Sequence, residues 1–118
     1  MTKKLFKGLA WLFAIGLVLQ AWLAGLALFH HAGYWSTHGR FAEGISVLPF
    51  LMLLISFAAR LPHNIRTQTG MLAGMVLLIA LSAMLPGEVG WLAAFHPVIA
   101  LFLFFRTMAI LRVIHEPA

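Results

Sequence analysis

The chain has no cysteine in its 118 residues, which removes disulfides, thiolate-held metals and iron–sulfur clusters from consideration. It has no aspartate, and its acidic residues are three glutamates, Glu43, Glu88 and Glu116. None of them lies within the core of an expected helix, so a proton relay built on intramembrane carboxylates is not expected. There is no nucleophile–base–acid set, no phosphate-cradling glycine loop and no HExxH, and hydrolytic or kinase-like chemistry is set aside with them. Charge of any kind is scarce, at 9% of residues against 63% hydrophobic. A single domain of this length cannot hide that much apolar surface inside itself, so its solvent is lipid. The surplus of +5 does not indicate nucleic acid, because the bases stand beside apolar runs, where they act as topology signals.

Four apolar segments fill the chain, and the helices are expected at about 8–29, 41–59, 68–85 and 91–111, within one domain covering 1–118. At 1.5 Å per residue, crossing about 30 Å of hydrocarbon takes about 20 residues. Three segments reach that length directly, and the third does so when its start is drawn back through Thr67–Thr69. Between them lie a polar stretch at 30–40, a basic turn at 60–66 and a Pro-Gly turn at 86–90. Connections this short make successive helices antiparallel neighbours. The expected fold is an all-α integral membrane protein, an up-down-up-down four-helix transmembrane bundle. The first apolar run is longer than a typical signal-peptide core and is read as a retained helix. Lys3, Lys4, Lys7, Arg60, Arg66, Arg106 and Arg112 fall on one side and only Arg40 on the other. That bias predicts a bacterial cytoplasmic membrane protein with both termini in the cytoplasm.

A faint internal repeat relates the two halves. Shifting the chain by 58 residues, the difference between positions 38 and 96, aligns Gly16 with Gly74, Val18 with Val76, Leu19 with Leu77 and Leu23 with Leu81. It also aligns His38 with His96 and Ala42 with Ala100. Two hairpins of the same sense would then be related by a pseudo-twofold axis along the membrane normal. That axis would bring His38 and His96 face to face at the outer end of the bundle.

An imidazole in an apolar run is costly to desolvate without a partner. His38 and His96 are therefore the candidate axial pair for a b-type haem, since imidazole is a good iron ligand and a four-helix bundle can hold a cofactor between facing helices. Ala42 and Ala100, one turn after each histidine, leave room for a flat macrocycle. Pro97 is expected to bend its helix so that His96 tips inward. Arg40 is the candidate contact for a haem propionate, with an ion pair to Glu43 as its other reading. His30, His31 and His38 form an alternative outer copper or zinc site. Gln20, the one strongly polar side chain inside helix 1, is expected to hydrogen-bond across the bundle. Gly70 with Gly74 and Ala21 with Gly25 are read as helix-packing pairs, and Pro49 as a mid-helix kink.

These features resemble a family of small bacterial four-helix membrane proteins without an assigned function. The resemblance spans nearly the whole chain and is carried by Gln20-Ala21-Trp22-Leu23-Ala24-Gly25, by His38, by Leu61-Pro62 and by the run from Ala94 through His96 and Pro97 to Leu101. More distantly, the layout is similar to one four-helix half of haem A synthase, a family with a haem-binding histidine at the outer start of its second and fourth helices. Carried onto this chain, the resemblance implies haem between His38 and His96. That family has a glutamate three residues before the first histidine. Trp35 stands there in this chain, and one four-helix half is present, so haem oxidation is not expected.

Two functions from different classes follow. One is a small b-type haem protein for electron transfer or haem handling. The other is a non-enzymatic accessory or assembly subunit, paired with another membrane protein or with its own copies, that carries no cofactor and uses its small-residue faces.

Overall fold

The computed structural model describes residues 1–116, and among them the secondary structure is entirely helical. Helix α1 runs Thr2–Phe29, α2 Tyr34–Ser46, α3 Leu48–Ala58, α4 His63–Ala83, α5 Gly90–Ala93 and α6 His96–His115, with a 3₁₀ turn at Gly87–Val89. Helices α2 and α3 form one span with a joint at Val47, and the 3₁₀ turn, α5 and α6 form another. Four spans result, each long and apolar enough to cross a membrane. The long axis is 47 Å, longer than a hydrocarbon layer of about 30 Å.

The helices pack as a closed square. Helix α1 lies against α2 and α3, α3 against α4, α4 against α6, and α6 back against α1. The second and fourth spans thus face each other across a diagonal. With four antiparallel spans, the start of α1 and the end of α6 lie at one end, the terminal end; the opposite end is the far end.

The core is concentrated toward the terminal end. Phe6, Phe13, Met52, Ile65, Leu72, Leu103 and Ile110 are fully enclosed in one cluster. Helix α2 contributes no fully buried residue, and toward the far end only small side chains such as Ala27 and Ser82 are buried. Outward faces carry exposed Trp22, Leu54, Leu101 and Phe105. Lipid tails are as apolar as leucine, so only packing density separates inside from outside.

Several expected boundaries differ from the observed ones. Helix α1 begins at Thr2, six residues before its apolar run, because Phe6 is drawn into the core cluster and carries the lysine-rich turn into the helix. The second span begins at Tyr34, although its first turns were expected as loop. The reason is amphipathicity: Tyr34, His38, Phe41, Ala42 and Ile45 share the half-buried face, while Ser36, Arg40 and Glu43 are exposed. Gly16 supplies the seat for this face. A Cβ there would come within 3.1 Å of Ile45 Cγ2, so the bare backbone lets α2 approach α1 closely.

Both prolines expected to bend a helix instead start one. Pro49 and Pro97 each occupy the first turn of their helix, α3 and α6, where the missing N–H costs nothing. The turn from α3 to α4 is a Schellman closure. Leu61 N–H donates to the Ser56 carbonyl (3.0 Å) and Arg60 N–H to the Phe57 carbonyl (3.0 Å). Arg60 takes the left-handed position, with φ of 50°, and is the only non-glycine among the described residues to do so. Leu61 is tucked beneath it, 6% exposed.

Candidate functional site

His38 sits in the second turn of α2 and His96 is the first residue of α6. They reach toward each other across the diagonal near the far end, with ring centroids 6.3 Å apart and planes inclined by 53°. Both are half-buried. The other two spans hold them there. His38 Nδ1 lies 3.2 Å from the backbone carbonyl of Gln20 on α1, and His96 Nδ1 lies 3.0 Å from Ser82 Oγ on α4. Each of the four spans therefore contributes one group. Trp35 closes one side, its ring edge-on to His38 at 5.6 Å.

The hydrogen bonds fix the protons of the neutral rings. A carbonyl can only accept, so Nδ1 of His38 carries the hydrogen. Ser82 Oγ donates its single proton to the Ile79 carbonyl at 2.7 Å, so it too must accept, and Nδ1 of His96 is the donor. In both rings Nε2 is then left with a bare lone pair. Two neutral imidazoles in this state cannot hydrogen-bond to each other, because neither Nε2 has a proton to give. Their shared need is an electrophile: a proton or a metal ion.

Ala42 and Ala100 lie one turn beyond the two histidines on partly buried faces, as the sequence led one to expect. Gln20 behaves differently from expectation. Its backbone carbonyl, not its amide, makes the contact across the bundle, and its buried Oε1 has no partner. Arg40 is not brought to the pair. It is exposed and two residues from His38, so it projects from the opposite side of α2.

The alternative metal site at the far-end turn is not assembled. His31 Nδ1 accepts the Gly33 N–H at 2.9 Å, the His30 ring lies tilted against Tyr34 with centroids 6.1 Å apart, and His38 is committed to Gln20. Among the described residues, no group of three or more histidine, cysteine, aspartate or glutamate side chains is placed to hold a metal ion. The expected packing pairs also divide. A Cβ on Gly70 would come within 3.9 Å of Leu53 Cδ1, but a Cβ on Gly25 or Gly74 would touch nothing, so neither of these two glycines marks a close helix approach.

Ser82 was missed by the sequence reading. Its only signal is a hydroxyl inside the third apolar segment, and such hydroxyls usually bond their own helix, as Thr69 and Thr107 do here. The Gln20 carbonyl had no side-chain signal at all.

Fold and site together define an all-helical protein of four membrane-length spans with a two-histidine site across its diagonal. The chain belongs to a family of unknown function, DUF6220, whose sequence profile matches residues 20–85. The matched stretch includes Gln20, His38 and Ser82 and ends before His96. No curated protein and no solved structure matches the chain.

Proposed function

We propose that the protein holds a b-type haem between His38 and His96, in the bacterial cytoplasmic membrane, and serves electron transfer or haem handling there. The observation that carries this reading is the pair itself, two imidazoles from diagonal spans with both Nδ1 atoms engaged and ring centroids 6.3 Å apart. Two imidazole nitrogens bound to one metal at about 2.0–2.1 Å each set their ring centroids roughly 6 Å apart. The donor count favours haem over a bare ion. Zinc and copper sites draw three or four ligands from the protein, whereas a haem brings its four in-plane nitrogens and asks the protein for axial ligands alone. Ala42 and Ala100, partly buried one turn beyond the histidines, are the small side chains that a flat macrocycle beside the pair would require. The resemblance to one half of haem A synthase points the same way. The charge bias of the connections supports cytoplasmic termini, so the site would lie toward the outer face.

The test is the absorption spectrum of detergent-purified protein, with haem quantified as its pyridine haemochrome. A Soret band is expected in the wild type, and His38→Ala or His96→Ala is expected to abolish it. An intact, haem-free wild-type protein that takes up no added haem overturns the proposal.

A further inference from the structure

The two histidines are held by different kinds of acceptor. That of His38 is a backbone carbonyl, which no side-chain substitution removes. That of His96 is a side-chain hydroxyl, Ser82 Oγ, whose residue is 8% exposed and whose only proton is committed to Ile79. We infer that Ser82 is a positioning residue, holding His96 as the Nδ1–H tautomer so that its Nε2 stays free to bind a metal. The inference deepens the haem reading at the same site, but its first consequence concerns the protein alone.

The chemistry is a proton count. With Ser82 present, the neutral His96 ring gains a hydrogen bond only as the Nδ1–H form. Without the hydroxyl, Nδ1–H loses that acceptor, and the ring is free to rotate toward another or to move its proton to Nε2, the form whose Nε2 cannot ligate. Groups that orient ligating histidines in this way typically change metal affinity about tenfold to a hundredfold when removed, and they raise the basicity of the ligand they hold. Threonine at position 82 can make the same pair of bonds, because its hydroxyl also reaches a carbonyl one turn back. Alanine cannot.

The experiment has two arms. In the first, ¹⁵N-labelled, haem-free protein in detergent is held at about pH 8, above the ordinary imidazole range, and the histidine tautomers are read by NMR. His96 is expected as Nδ1–H in the wild type and in Ser82→Thr. Ser82→Ala is expected to give a substantial Nε2–H population at His96 and leave His38 unchanged. In the second arm, haem titration is expected to weaken tenfold to a hundredfold in Ser82→Ala and to recover in Ser82→Thr. An Nε2–H wild-type ring, or a tautomer ratio unmoved by Ser82→Ala, overturns the inference. Absence of haem binding in every variant overturns the proposed function alone, because the tautomer ratio is decided without haem.

Discussion

At the scale of single residues, Gln20 joins the two histidines in leaving hydrogen-bonding capacity unused at the site. Its backbone carbonyl anchors His38 while its side-chain Oε1 is buried without a partner. A buried acceptor left unmade costs on the order of 1–3 kcal/mol, and replacing it with an apolar group of similar shape removes that cost. Gln20→Leu is therefore expected to stabilise the haem-free protein by about 1 kcal/mol, read as a raised melting temperature in detergent. The contact to His38 should survive, because the acceptor belongs to the backbone. A lowered melting temperature would mean that the Gln20 side chain has a partner in the membrane-embedded protein. The histidine pair was legible in the sequence through the 58-residue offset, which matched His38 to His96 and Ala42 to Ala100. What anchors the pair was not. A serine in an apolar span ordinarily satisfies itself on its own helix, and a backbone carbonyl looks the same under every side chain.

At the scale of elements, the four spans were legible because each is an apolar run of membrane length, and their ends were not. The stretch from Tyr34 to Arg40 reads as loop from its serine, threonine and glycine. It folds as helix because every third or fourth side chain has a surface to meet on α1. Pro49 and Pro97 mark helix starts, not bends, since the chain reorganises around a proline so that its missing N–H falls in a first turn. The α3–α4 closure carries a cost that can be measured. Arg60 occupies a left-handed position where glycine is favoured, at roughly 1–2 kcal/mol for a residue with a Cβ. Arg60→Gly is expected to raise stability by about 1 kcal/mol, checked by thermal or denaturant unfolding in detergent micelles. Part of the gain should be offset by the looser unfolded chain. Arg60 is also one of the positive charges on the terminal side.

At the scale of the whole molecule, the connections carry the topology. Arg60 and Arg66 share the terminal end with both chain termini, and Arg40 lies toward the other. A phosphatase reporter that is active only outside the cytoplasm is expected to be silent when fused after residue 118 and active when inserted between Ala32 and Gly33. The reverse pattern would overturn the assignment of the histidine pair to the outer face. The same bundle is also unevenly knit along its length, dense where Phe6, Met52, Leu72 and Ile110 meet and thin around the histidines. Local opening follows the number of buried contacts that must be broken. The far end can therefore breathe while the terminal end stays closed, like tongs hinged at one end. On the proposed haem reading, the macrocycle would enter and leave sideways at that looser end, without the four spans coming apart.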